Sequence, residues 1–192
     1  LPLQIITSND FINEVSSKDA VTGIYAGIFL ALFLYNIFIL FTVRDRSYYS
    51  YIVYILFMGL TQLTLLGYTT RFLWPATPGF TNYALVIFPS IAGIASIGFA
   101  NGFMDIKKYF PRLQKVFYVF ITMYAVATLL GFMGKFYYSY RIIDANVTLL
   151  GLFALVLCSA IARTGSRSAK FWLTSWSILI ICLALFMLRN VG

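Results

Sequence analysis

The chain has 192 residues, of which 61% are hydrophobic, 19% aromatic and 10% charged, with a net charge of +8 and no histidine. Soluble domains carry about a quarter charged residues, so a water-soluble globule is excluded. The basic residues fall in breaks between apolar runs, which excludes a nucleic-acid surface, and the lack of His removes the usual metal ligand and general base.

In chain order, Leu3-Gln4-Ile5-Ile6-Thr7 alternates weakly and reads as a final β-strand of an upstream domain. The opening Leu1-Pro2-Leu3 has no initiator Met, and no basic region leads into an apolar core, so the segment is not a signal peptide. It reads as a cut through a longer protein, as does the stop at Arg189-Asn190-Val191-Gly192. Residues 8–19 are polar. Phe11, Ile12 and Val15 share a helical face there, and Glu14 and Lys18 stand at i,i+4, which predicts a short outer connector helix. Residues 1–19 are thus expected to be the end of an upstream domain with its connector.

Residues 20–192 are expected to form a membrane bundle. No charge falls in 20–43, 47–70, 116–134, 145–162 or 171–188. The uncharged stretch 72–104 holds a loop (Trp74, Pro75, Pro78, Gly79) and then another apolar run. One crossing needs about 20 apolar residues. The spans expected lie near 20–43, 48–70, 83–105, 115–134, 142–162 and 170–188. The runs do not alternate in polarity, so they are helices rather than barrel strands, and the fold class is an all-α polytopic transmembrane bundle.

The basic residues set direction. Arg44, Arg46, Lys107, Lys108, Arg112, Lys115, Arg163, Arg167 and Lys170 occupy the first, third and fifth breaks, nine in all. Lys18, Arg71, Lys135, Arg141 and Arg189 lie on the opposite side, five in all. The richer side is cytoplasmic, which puts the N-terminus outside. Tyr48, Tyr49 and Tyr51, then Phe72 and Trp74, then Phe136, Tyr137, Tyr138 and Tyr140, then Phe171 and Trp172 stand at span ends, where aromatic residues anchor at head-group depth.

Small residues recur every fourth position. Gly23, Gly27 and Ala31 form one stripe and Ala92, Ser96 and Ala100 another, with Gly98 and Gly102 beside it. Such stripes let helix backbones approach, either within the bundle or at a dimer face. Polar residues inside spans are few: Asn36, Thr61, Gln62, Thr64, Ser90, Asn101, Asn146, Thr148, Thr174, Ser175 and Ser177. Most are expected to make interhelical hydrogen bonds. Asn36 and Gln62 sit on helices joined by a short turn and are expected near mid-depth, where the two amides would meet. Asn101 is a third candidate coupling residue. Pro89 falls inside the third span and is expected to kink it or break its first turns, a candidate hinge.

There is no Gly-rich phosphate loop, nucleophile–base pair or metal-ligand spacing, so no enzyme activity and no cofactor is expected. Cys158 and Cys182 lie within apolar runs and read as small core residues. No Asp, Glu, Lys or Arg lies mid-span, which weighs against a pump or coupled transporter.

The strings Gly23-Ile24-Tyr25-Ala26-Gly27, Leu34-Tyr35-Asn36-Ile37-Phe38, Arg44-Asp45-Arg46-Ser47-Tyr48 and Phe72-Leu73-Trp74-Pro75, with Leu1-Pro2-Leu3 and Phe11 before them and Leu188-Arg189-Asn190-Val191-Gly192 at the end, carry a family likeness. Together they resemble the membrane domain of bacterial seven-transmembrane receptors with diverse intracellular signalling modules. The resemblance covers essentially the whole chain and is strongest over 23–75. It implies six helices of a seven-helix domain and an upstream periplasmic sensor domain. It also implies a downstream cytoplasmic module such as a kinase, diguanylate cyclase or phosphatase. Six crossings leave Gly192 outside, so the parent chain is expected to continue with one more span. The expected function is a transmembrane signal transducer in the bacterial inner membrane, in contact with the lipid bilayer and with those two domains, with a homodimer as a further partner. A transporter or channel module is the alternative and a passive anchor the third reading.

Overall fold

A computed structural model describes residues 8–43, 46–103, 106, 111–163 and 170–178. The expected strand at 3–7, the sixth span beyond residue 178, Cys182, the closing Leu188–Gly192 turn and several basic residues (Arg44, Lys107, Lys108, Arg167, Arg189) lie outside the described residues. Among the described residues the regular structure is entirely helical. The helices are α1 (Ser8–Val43), α2 (Arg46–Leu65), the short α3 (Tyr68–Phe72), α4 (Phe80–Phe103), α5 (Gln114–Phe132) and α6 (Phe136–Arg163). A 3-10 turn at Pro111–Leu113 precedes α5, and residues 170–178 are again helical. Helices α1, α2, α4, α5 and α6 are long and apolar enough to cross a membrane. An apolar sequence of this length adopts helix because lipid supplies no hydrogen bonds to the backbone.

The chain divides into two units, residues 1–44 and 45–192. The first contains α1, which runs unbroken through both the polar 8–19 stretch and the apolar run that follows. The second contains the packed bundle.

Two glycines set helix ends in that bundle. Gly67, with φ 81°, lies just past α2, and Leu66 N–H and Gly67 N–H donate to the Gln62 and Thr64 carbonyls at 3.0 Å each. A left-handed residue suits glycine and ends a helix. The uncharged run continues to residue 70, so charge alone predicted a longer span; the backbone stops it at Leu65. Gly134, with φ 76°, closes α5 in the same way: Lys135 N–H donates to Leu130 O and Gly134 N–H to Gly131 O, both at 2.9 Å.

Helix α4 is the centre of the second unit, packing on α2, α5 and α6. Its buried stripe includes Val86, Ser90, Gly93 and Ile97, and that of α5 is Phe117, Phe120, Tyr124, Ala127 and Gly131. Both step by three and four residues, the spacing of left-handed helix packing. Large apolar side chains such as Phe38, Tyr118, Val156 and Phe171 are exposed. Water would penalise that surface, whereas acyl chains solvate it.

Candidate signal-coupling site

Contacts around α4 pair a small residue on one helix with a larger neighbour on another. A Cβ built on Gly93 would overlap the Tyr124 ring of α5, and Tyr124 is only 1% exposed. A Cβ on Gly131 would stand 2.9 Å from Val86 Cγ1. Across the α2–α4 contact, Gly98 faces Ser50, with a built Cβ 2.9 Å from its Oγ, and Gly102 faces Ser47. Tyr51 and Phe99 extend this contact at 4.8 Å between ring centroids, and Phe57 and Phe88 at 5.6 Å. Dispersion rather than water exclusion holds such contacts in lipid, so close approach through glycine matters. On α1, a Cβ added at Gly23 or Gly27 meets nothing within 4 Å, and Ala31 is exposed.

Helix α4 continues unbroken through Pro89. Proline has no N–H, so the carbonyl one turn earlier loses its helical donor. Next to it, Ser90 donates its hydroxyl to Val86 O at 2.7 Å. Gly93 follows three residues later, at the close contact with Tyr124.

Aromatic residues between α2 and α4 and in the first turns of α4 and α6 make specific contacts. Trp74 donates from Nε1 to Thr81 Oγ1 at 3.1 Å, and Thr81 and Thr70 share a 2.6 Å hydroxyl hydrogen bond. The Trp74 ring meets Phe80 edge-on at 5.1 Å and Phe88 at 6.2 Å. Tyr140 donates to Asn82 O at 3.2 Å, and Tyr83 meets Phe136 edge-on at 5.0 Å. The 66–83 segment is therefore a folded cap over one end of α4, and Phe88, which it touches, immediately precedes Pro89. This cap was invisible as such in the sequence. The signal that marks it is Thr70, Trp74 and Thr81 clustered in a break.

Most polar residues inside the spans turn inward on their own helix instead of bridging to a neighbour, which corrects the expectation of interhelical hydrogen bonds. Thr61 and Thr64 donate to Phe57 O and Leu60 O at 2.7 and 2.6 Å, and Thr148, Thr174 and Ser175 also bond carbonyls one turn back. A hydroxyl one turn from a carbonyl reaches it without help from another helix. Asn36 likewise donates from Nδ2 to Leu32 O at 2.7 Å. Asn146 is different: its Nδ2 donates to Phe120 O on α5 at 3.0 Å. Ser139, absent from the polar residues singled out in the sequence, donates to Ala127 O on α5 at 2.8 Å. These two bonds fasten α6 to α5.

The helix bounds place Asn36 near the end of α1 and Gln62 in the last turn of α2. At 1.5 Å per residue they lie about 10 Å and about 24 Å along their helices from the break that joins them. Asn101 lies near the end of α4, and its Oδ1 is buried without a hydrogen-bond partner. Among the described residues no three His, Cys, Asp or Glu side chains are grouped to hold a metal ion.

A family model described as 7TM diverse intracellular signalling matches residues 18–192. No curated protein and no solved structure matches.

Proposed function

The chain belongs to the 7TM diverse intracellular signalling family, and from that premise we propose how it signals. Membership makes it a multi-pass membrane receptor domain linked to intracellular signalling. In the proposed relay, a ligand-dependent change in an upstream periplasmic domain reaches the 66–83 cap. The cap acts through Trp74 on Phe88, and α4 responds by repacking at Pro89–Gly93 against α2 and α5. The new packing alters the geometry of a cytoplasmic output module. The parent protein sits in the bacterial inner membrane with its N-terminus periplasmic, and two copies pair through the Gly23–Gly27–Ala31 face, which α1 leaves open.

The observation that carries this reading is the contact between the cap and the residue preceding Pro89. Without it, an outer perturbation would have no packed route to the Pro89–Gly93 stretch of α4. The test is Trp74→Ala beside Trp74→Phe in the full-length receptor, with membrane insertion and downstream output measured together. Trp74→Ala shifts output with insertion intact, while Trp74→Phe, which keeps a ring against Phe88, shifts it less. Two variants that insert and signal as wild type refute the route. Saturable solute uptake by reconstituted protein, with output unchanged, would favour the transporter instead.

A further inference from the structure

Helix α4 ends on a short repeat, Gly98-Phe99-Ala100-Asn101-Gly102-Phe103, which presents the same Gly-Phe pair twice, four residues apart. Helix α2 carries the complementary pair Ser50-Tyr51 and seats it on the first copy. A Cβ built on Gly98 would stand 2.9 Å from Ser50 Oγ, and the Tyr51 and Phe99 ring centroids lie 4.8 Å apart. The second copy offers an equivalent seat. Gly102 admits a side chain of α2, since Ser47 lies against it, and Phe103 stacks on Phe99 at 5.2 Å with 39% of its surface exposed. The two seats differ by about 6 Å of rise and about 40° of rotation about α4.

Three further observations bear on movement between the seats. Among the described residues α2 packs on α4 and the short α3 but not closely on α5, and a cleft of about 590 Å³ lies between α2 and α5. Helix α2 is thus held along one long neighbour, whereas α6 is bonded to α5 through Asn146 and Ser139. Between the two seats, Asn101 Oδ1 is buried with no donor, and an orphaned acceptor of this kind is rare and costly. At the other end of α4, Thr81 in the first turn bonds both Thr70 of α3 and Trp74. Those bonds tie the segment that follows α2 to α4, and so hold the present register.

We propose that α2 has two registers on α4, and that Ser50-Tyr51 steps from Gly98-Phe99 to Gly102-Phe103 when the cap bonds release. The step carries α2 about 6 Å towards its own N-terminal end. Ser47 leaves Gly102 as Ser50 enters it, Tyr51 passes from Phe99 to Phe103, and Ser50 donates its hydroxyl to Asn101 Oδ1. Tyr54, one turn on from Ser50, comes opposite Gly98, a ring against a glycine as Tyr124 is against Gly93. Packed helix contacts switch between discrete arrangements of this kind rather than deform continuously. The step gives the repacking of α4 against α2 a direction and a size; its use in signalling rests on the relay proposed above, whereas the step itself does not.

The test uses the whole protein in nanodiscs, with Cys158 and Cys182 replaced by alanine and spin labels on cysteines at positions 49 and 133. Tyr49 of α2 and Met133 just past α5 are both exposed. Gly131 meets Val86 while Ser50 meets Gly98, so the step moves the label on α2 away from the one beyond α5. Double electron–electron resonance then reads a distance longer by up to about 6 Å. Thr81→Val, which breaks the cap bonds, raises the ratio of long to short distance at least fivefold, the fold-change of one neutral hydrogen bond. In the Thr81→Val background, Asn101→Leu lowers that ratio about fivefold. Phe103→Ala, which strips the ring from the second seat alone, lowers it as well. One distance in every variant overturns the proposal. Two distances whose ratio ignores both Asn101→Leu and Phe103→Ala also overturn it. Downstream output, measured beside the distances, separates the two ideas. A step in a receptor whose output ignores the Trp74 variants refutes the relay and leaves the step, whereas output that follows Trp74 with a single distance refutes the step and leaves the relay.

Discussion

Gly93 offers the sharpest test of the packing. Its missing Cβ is where the Tyr124 ring lies, touching Cζ, Oη and Cε2, and Tyr124 is buried to 1% exposure with no open side to swing towards. Gly93→Ala gains about 1 kcal/mol of helix propensity. Against that, forcing a methyl into a filled contact costs about 1–3 kcal/mol, so the net change is a loss of about 1 kcal/mol, and more if α4 and α5 must part. Gly151→Ala on α6 is the matched control, because a Cβ there meets nothing within 4 Å. It keeps the propensity gain and loses nothing, so the two alanine variants differ by about 2 kcal/mol. Reversible unfolding of the protein in bicelles measures both. The double variant Gly93→Ala with Tyr124→Leu recovers part of the single-variant loss relative to Tyr124→Leu alone, since the ring is then absent, and the coupling reports the contact directly. If Gly93→Ala is as stable as Gly151→Ala, the close approach of α4 and α5 at this point is refuted.

Removing the α6–α5 fasteners has a smaller effect: Asn146→Leu and Ser139→Ala each cost about 1 kcal/mol in the same unfolding assay and add in combination, because they bond different carbonyls. Gly98→Ala is milder than Gly93→Ala, because the opposing atom is the rotatable Ser50 hydroxyl; an equal loss would show that Ser50 is held. Reporter fusions near Gly79 and Pro111 read opposite sides of the membrane, periplasmic and cytoplasmic respectively, and equal or reversed signals overturn the nine-to-five reading of the basic residues. Asn36→Leu and Gln62→Leu, tested singly in the full-length receptor, shift basal output up to about fivefold with insertion intact, the scale on which a polar contact of about 1 kcal/mol biases a two-state bundle; unchanged output makes them ordinary packing.

The membrane class and the all-helical fold were legible in the uncharged runs alone. The bilayer imposes length and backbone satisfaction on every segment independently, so each run reports its own state. The family was legible too, in continuous strings such as Leu34–Phe38 and Phe72–Pro75. Helix ends were less so: α2 stops at Leu65 through a backbone conformation at Gly67 that charge and hydropathy do not encode. The stripe Ala92–Ser96–Ala100 with Gly98 and Gly102 was visible as small residues, but nothing along one helix says which neighbour fills each gap. Gly93 reads as an ordinary glycine until Tyr124 is placed against it, and Asn146 as one polar residue among many until Phe120 O is within 3.0 Å. Hydroxyls behaved oppositely, because their own helix always offers a carbonyl one turn back, a local option that the expectation of interhelical bonds overlooked. Composition therefore determines that this chain crosses a membrane as helices, since that is a property of segments. Which residues couple the helices is a property of pairs, and only the tertiary structure brings the pairs together.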